Sequence, residues 1–300
     1  SFNVGGLTAE QKRRRDIARI LTGFGLHEAI TVSFISPSWL DLLDPERSYL
    51  PAKAVSLRNP ISDEASMLRP TLLPGLLDAA RFNLNRRLTD LALFEMGKVF
   101  IPEAGKKLPR EPLRLGCLIC GRWLPKQWDR EPEEADFYTA KGVLEGLFAR
   151  LKVADWRLER RELPFLRPAS SCAVIIAGSE AGFLGMIHPA AARALEVPEG
   201  TSLMELEVEE LIAAAGGAAM YRDIPRHPSV QADLAVVVEE GTDAGLVEEV
   251  IREAGGELLR EVRLFDLYRG EQIGEGRKSL AYSLSFYAMD RTLRDEEARS

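Results

Sequence analysis

The sequence predicts an α+β fold, with a larger domain of sheet and helices followed by a smaller βαββα domain. Three observations lead to this prediction. A proline-punctuated segment, 57–100, places one amphipathic helix between extended pieces. An Ala/Gly-rich run, Leu211–Met220, separates the two parts of the chain. After it, apolar and turn segments follow one another in the order strand, helix, strand, strand, helix.

The central segment combines a well-marked helix start with two extended flanks. Each of its three prolines restricts the preceding residue to extended geometry, and Pro74 suits the first turn of a helix. Apolar residues then recur at helical spacing from Leu73 to Leu84. After this helix we expect a buried strand, a turn at Gly97 and a second strand. The segment therefore indicates the middle of a sheet domain.

The flanking segments supply further elements of this first domain. Thr8 and Gln11 have the spacing of a capping box, which predicts a helix that ends near Gly23. We expect a strand from Ala29 to Ile35 and an amphipathic helix from Asp136 to Leu151. Gly274–Ser279, GEGRKS, lacks the spacing of a phosphate-binding loop and precedes a strand, so it predicts a hairpin turn.

Composition narrows the class of protein. The hydrophobic fraction of 46% and the charged fraction of 28% are ordinary for a globular protein, and no apolar run has the length of a membrane span. The net charge of −7 argues against a surface coated in positive charge, although it permits a local RNA site. Cys117 and Cys120 form a CxxC within a predicted strand, where their side chains point to opposite faces, so we expect core cysteines and no metal site.

A set of motifs in fixed order gives the sequence a family resemblance. The first part carries NPIS, LRPTLLPGLL, LFEMGKVF and DFYTAKG, and the second carries RHPSV, DLAVVV, LFDLYRG and GRKSLAYSL. Together they resemble the C-terminal part of the bacterial phenylalanyl-tRNA synthetase β subunit family, over nearly the whole chain. The resemblance implies a class II synthetase-like domain with a mixed or antiparallel sheet and helices, followed by a ferredoxin-fold anticodon-binding domain.

The resemblance also implies domain bounds. Residues 1–21 would form a linker and entry helix, 22–212 a catalytic-like domain without catalysis, and 213–220 a second linker. Residues 221–300 would form the anticodon-binding domain, a βαββα unit that lacks the last strand of a βαββαβ fold.

The function implied is that of one subunit of an ATP-dependent ligase. The chain would scaffold a catalytic α subunit within an α2β2 heterotetramer and would bind the anticodon region of tRNA(Phe), in the cytoplasm. ATP and Mg²⁺ would be used by the whole enzyme and bound elsewhere, because the ATP-binding arginines of class II motifs are not recognisable in 22–212. We therefore expect no catalytic residue and no metal site in this chain.

The RNA site is predicted on the strand pair of the second domain, since residues 258–294 hold seven basic and five acidic residues. Tyr268 and Asp266 alternate along one strand and so share a face, where the ring can stack on a base and the carboxylate can accept from a base edge. The resemblance assigns anticodon contacts to both and to two neighbours. The full set of candidates is Tyr268, Asp266, Ser279, Ala235, Arg269 and Lys278.

Two departures from the family pattern and two rival functions remain open at this point. The family often has Arg where this chain has Ala232, and it has His, Pro and Gly at 167–169, where this chain has Arg, Pro and Ala. One rival is a free-standing enzyme of small-molecule metabolism. The other is a ferredoxin-like regulatory domain that binds a small molecule beside an unrelated α/β domain, for which Asp266 and Tyr268 would line a closed pocket.

Overall fold

The computed structural model describes residues 5–60, 62–216, 228–288, 291 and 293. It separates into two compact units, 1–218 and 219–300. None of the helices in these ranges combines the length and apolar composition needed to cross a bilayer.

The first unit surrounds a sheet with helices. Its helices are α1 (Ala9–Gly23), α2 (Ser38–Leu43), α3 (Leu73–Leu84), α4 (Phe137–Leu151), α5 (Pro189–Leu195) and α6 (Val208–Ala214). Its strands are β1 (His27–Glu28), β2 (Phe34–Ile35), β3 (Met67–Leu68), β4 (Leu91–Lys98), β5 (Leu113–Cys120), β6 (Arg122–Leu124), β7 (Glu133–Glu134), β8 (Trp156–Arg160), β9 (Leu166–Ile176), β10 (Ser179–Ile187) and β11 (Ser202–Glu207).

Seven of these strands form one mixed sheet in the order β1-β4-β5-β11-β10-β9-β8. Only the short β1 runs parallel to its neighbour, and the other pairs are antiparallel. Strands that are buried on both faces need apolar cover on each, and α1, α4 and α6 pack over one core while α2, α3 and α5 pack over the other. Cys117 lies in the first core and Cys120 in the second, which confirms that the CxxC pair points to opposite faces.

Several helix predictions are confirmed in detail. The hydroxyl of Thr8 accepts from the N–H of Gln11, whose amide oxygen accepts in turn from the N–H of Thr8, which completes the capping box of α1. Pro74 lies in the first turn of α3, and Asp136 caps α4 through the N–H of Thr139. At α1 and α4 the helix starts thus coincide with caps that satisfy otherwise unpaired N–H groups.

Two predictions about strands are wrong because each depends on contacts between residues that are distant in sequence. Glu95 accepts from the N–H and the hydroxyl of Thr31, at 3.3 and 2.6 Å, so the predicted strand at Ala29–Ile35 is irregular and only its last two residues pair, as β2. The predicted turn at Gly97 is instead the interior of β4, a single strand. A Cβ at Gly97 would lie 2.3 Å from Nη2 of Arg69, the partner of Glu95.

The second unit is a three-stranded antiparallel sheet with one helix on it. Its elements are β12 (Val230–Glu239), α7 (Ala244–Gly255), β13 (Leu259–Tyr268) and β14 (Arg277–Phe286), and the strand order is β12-β14-β13. This confirms the predicted strand, helix, strand, strand order, including the hairpin turn before β14. The helix predicted after Asp290 lies outside the described residues, except for Arg291 and Leu293.

Candidate nucleic-acid interface

The middle strand of the second unit, β14, divides its sheet into a packed face and an open face. Its residues alternate strictly, with Leu280, Tyr282, Leu284 and Phe286 buried and the odd-numbered residues between them partly or fully exposed. The buried set packs against α7, and the hydroxyl of Tyr282 donates to the carbonyl of Ala244 at 2.9 Å. Burial raises the pKa of this tyrosine, which keeps it a neutral donor. The opposite face is left open by the described residues.

The open face places four of the predicted residues in two adjacent rows. Ser279 lies between Val237 of β12 and Tyr268 of β13. In the next row, Ala281 lies between Ala235 and Asp266. The strand register thus brings Tyr268, Asp266, Ser279 and Ala235 onto one face, with the small Ser and Ala side chains in the middle.

The shape of this face suits a ligand that lies flat. Tyr268 is 44% exposed, and the central stripe of β14 continues with Ser283 and Ser285, which are also small. Small residues down the middle strand let a planar group approach the sheet while side chains at the edge strand contact it. Asp266 and Tyr268 lie on an open surface rather than in a closed pocket, which is unlike the site of a small-molecule regulatory domain.

The two predicted basic residues lie away from these rows. Lys278 pairs with Val238 on the packed side of the sheet and is 7% exposed. The Arg269 guanidinium forms an ion pair with Glu240, with 2.8 Å between Nη2 and Oε1. This hydrogen bond lowers the pKa of the Glu240 carboxyl, so the pair stays charged. Of the two predicted basic residues, one is therefore buried and the other is paired with a carboxylate.

Strand alternation did not predict that the ring of Phe265 would be exposed in a bulge. The register of β13 against β14 shifts between Leu264 and Asp266, so Phe265 is an extra residue without a partner. Its ring is 49% exposed. Simple alternation over 261–268 would place Leu264 on the same face as Asp266, whereas the bulge puts Leu264 opposite the buried Tyr282. No Gly, Pro, Asn or other turn residue marks this bulge apart from Asp266 itself, so it has no local signal in the sequence.

The first unit carries exposed apolar side chains on the segment before β2 and on α3. Ile30 is 92% exposed and Val32 is 68% exposed, in the irregular segment before β2. Phe82, near the end of α3, is 57% exposed and lies under the guanidinium of Arg86 at 3.4 Å. Thr31 contacts α3 closely, since a Cβ at Gly75 would lie 2.1 Å from its hydroxyl oxygen. These apolar residues therefore lie on two segments that touch each other.

Several buried polar side chains of the first unit form ion pairs with one another. Arg69 donates to Glu95, to Thr31 and to the carbonyl of Lys98, at distances of 2.8–3.1 Å. A cavity of about 710 Å³ is lined by Arg114, whose guanidinium pairs with Glu205 at 2.5 Å and with Glu207 at 3.3 Å. Within the described residues, no group of three or more His, Cys, Asp or Glu side chains could hold a metal ion.

The architecture defines the class of protein. The crystal structure of a pyrrolysyl-tRNA synthetase from Desulfitobacterium hafniense superimposes with a TM-score of 0.52 at 16% identity, and covers 70% of each chain. The seven-stranded sheet unit thus has an aminoacyl-tRNA synthetase fold, here joined to a ferredoxin-fold unit.

The family follows from the sequence comparisons. Residues 2–208 match the profile of the phenylalanyl tRNA synthetase beta chain CLM domain, and residues 225–300 match the ferredoxin-fold anticodon binding domain. This chain belongs to the phenylalanyl-tRNA synthetase beta chain family, which confirms the predicted resemblance and fold class.

Curated relatives agree over almost the whole chain. A phenylalanine–tRNA ligase beta subunit of Symbiobacterium thermophilum is 42% identical over 302 residues, which is 99% of this chain and 33% of that protein. The corresponding subunit of Moorella thermoacetica is 43% identical over 307 residues, 99% of this chain and 38% of its own length. The chain thus spans about a third of the length of these relatives.

Proposed function

We propose that this chain acts as the C-terminal part of a phenylalanine–tRNA ligase β subunit, with its second unit holding the anticodon region of tRNA(Phe). The observation that carries the proposal is the open face of the β12-β14-β13 sheet. There Tyr268 and Asp266 flank the small residues Ser279 and Ala281. Exposed aromatic rings stack on unpaired bases, and polar groups beside them read base edges.

The residues at this surface have separate roles in the proposal. Tyr268 supplies the ring on which one base stacks, and Asp266 accepts hydrogen bonds from the donors of a base edge. Ser279 offers a hydroxyl beside Tyr268, and the small side chain of Ala235 leaves room for a base next to Asp266. Arg269 follows Tyr268 at the rim, where its ion pair with Glu240 offsets its charge, so it is left with a secondary role in the proposal. Lys278, which is buried on the other face, is left out of this surface.

The first unit has a supporting role in the proposal. Ile30, Val32 and Phe82 present apolar area on touching segments, and interface cores between subunits are more apolar than ordinary surface. We place the catalytic α subunit on this area, within an α2β2 heterotetramer. Aminoacylation with ATP and Mg²⁺ would be carried out by the whole enzyme, in the cytoplasm, with the reacting groups supplied by α. The buried Arg69–Glu95 pair has its hydrogen-bonding groups occupied within the fold and is left without a catalytic role.

Cross-linking on the assembled enzyme tests the anticodon proposal. A tRNA(Phe) with one thiouridine in the anticodon loop should cross-link, on irradiation, to peptides from β13 or β14. The same tRNA with thiouridine in its variable loop serves as the control and should give little label in those peptides. Label from the anticodon loop that falls only on the first unit or on the α subunit would contradict the proposal.

A further inference from the structure

The bulge in β13 contains an exposed aromatic residue, Phe265, that is not part of the hydrophobic core of the second unit. The core under α7 is built from residues such as Leu280, Tyr282 and Leu284, and Phe265 is not among the residues that pack there. Leu264 lies on the packed side, opposite Tyr282, and successive strand residues point to opposite sides. Asp266 lies on the open side, opposite Ala281, so regular alternation is broken at Phe265, the extra residue between the two. Its ring is half exposed.

The edge strand β13 thus carries two aromatic side chains with an acidic one between them in sequence. Asp266 and Tyr268 lie on the open face, Phe265 directly precedes Asp266, and the rings of Phe265 and Tyr268 are 49% and 44% exposed. Three residues of extended strand span about 10 Å, and the bulge shortens this distance. A single ring can hold one base, whereas two rings at this spacing can hold two bases of one RNA strand.

We propose that the exposed ring of Phe265 turns to the open face and forms a second stacking platform, which holds a base beside the one stacked on Tyr268. Asp266, which lies between the two aromatic residues in sequence, then accepts a hydrogen bond from the edge of a base in the stacked segment. This inference rests on the proposed function, because it places a second nucleotide on the same surface. It assigns to the bulge the role of adding one aromatic contact that regular strand alternation would have turned inward.

The test uses the assembled α/β enzyme and tRNA(Phe) binding. Loss of one stacked base by alanine substitution costs roughly 1–3 kcal/mol, so Phe265→Ala should weaken binding about 5- to 150-fold. Phe265→Trp should retain affinity, and Phe265→Leu, which keeps apolar bulk without a ring face, should behave like Phe265→Ala. Leu246→Ala, at a 57% exposed position on α7, is the matched control and should leave binding unchanged.

A set of abasic tRNAs distinguishes stacking from a merely structural role. Each anticodon-loop base is removed in turn, and the effect of Phe265→Ala is measured again on each RNA. One abasic position should abolish the effect, and it should differ from the position that abolishes the effect of Tyr268→Ala. Equal loss on every abasic RNA, or full affinity of Phe265→Leu, would overturn the inference. If Tyr268→Ala weakens binding and Phe265→Ala does not, the second platform is wrong while the proposed function stands. If neither variant weakens binding, both are wrong.

Discussion

Arg69 and Glu95 form an ion pair at 2.9 Å inside the first unit, where their side chains are only 3% and 4% exposed. Thr31 donates to Glu95 and accepts from Arg69, so the pair joins the segment before β2, the segment between β3 and α3, and strand β4. Because the pair is buried, each charge depends on the other for compensation. The position of the exposed residues Ile30 and Val32 therefore depends on this buried pair.

The first prediction concerns that pair. Glu95→Gln keeps the shape of the side chain but leaves the Arg69 charge without its partner, and breaking a buried pair in this way costs about 3–5 kcal/mol. Urea unfolding can be followed by tryptophan fluorescence, since all four tryptophans lie in the first unit. Glu111→Gln, in the exposed pair with Lys98, is the control and should cost less than about 1 kcal/mol. Equal midpoints for the two variants would show that the buried pair is not needed.

The second prediction is a pH dependence at Asp44. This carboxylate is fully buried and accepts from the N–H groups of Ser48, Tyr49 and Leu50 at 2.7–3.0 Å. Burial alone would raise its pKa, but these hydrogen bonds outweigh burial and hold the pKa below the ordinary value of 3.8. A lowered pKa stabilises the fold above the unfolded value, and this contribution is lost as the pH falls through the folded value.

Asp44→Asn should therefore lower the free energy of unfolding at neutral pH, by about 1.5–3 kcal/mol for hydrogen bonds to a charged group. The difference from the wild type should narrow in acid, below the ordinary pKa of 3.8. Urea titrations at a series of pH values measure both quantities. A difference that stays constant from neutral pH into strong acid would show that the Asp44 charge does not contribute.

The third prediction concerns the surface assigned to the α subunit. Ile30 is 92% exposed, so Ile30→Asp should leave the unfolding of the first unit unchanged. Burial of an isoleucine contributes about 1.5–3 kcal/mol, so the variant should weaken association with α about 10- to 150-fold. Sedimentation of the two subunits over a range of concentrations measures this. Leu246→Asp, in the second unit, is the control, and equal effects of the two variants would argue against the assigned surface.

The fourth prediction concerns discrimination among bases. Asp266→Ala removes the acceptor placed beside Tyr268, so the preference for the cognate anticodon over one with an altered first base should fall. A hydrogen bond to a charged group is worth about 1.5–3 kcal/mol, so the preference should fall roughly 10- to 150-fold. Asp233→Ala changes a carboxylate one row further along the same face and should keep the preference. Unchanged discrimination in Asp266→Ala would remove this residue from the proposed site.

The features that could be predicted from the sequence are those set by residues close together in the chain. The cap of α1, the helix α4, the α3 start at Pro74 and the opposed CxxC cysteines follow from spacing within a few residues, and all are confirmed. The errors at Ala29–Ile35 and at Gly97 come from contacts distant in sequence, since Glu95 binds Thr31 and Gly97 pairs with Arg114 beside Arg69. The positions of Phe265 and Lys278 depended on pairing with neighbouring strands, which no local pattern specifies.

The most direct test of the central claim is the affinity of Tyr268→Ala for tRNA(Phe), measured in the assembled enzyme. Stacking on the open face predicts a loss of about 5- to 150-fold, while Tyr268→Phe, which keeps the ring, should bind nearly as the wild type does. Leu246→Ala, on the other side of the second unit, should show no loss. If Tyr268→Ala remains folded and binds tRNA(Phe) as tightly as the wild type, the assignment of this sheet face to the anticodon is contradicted.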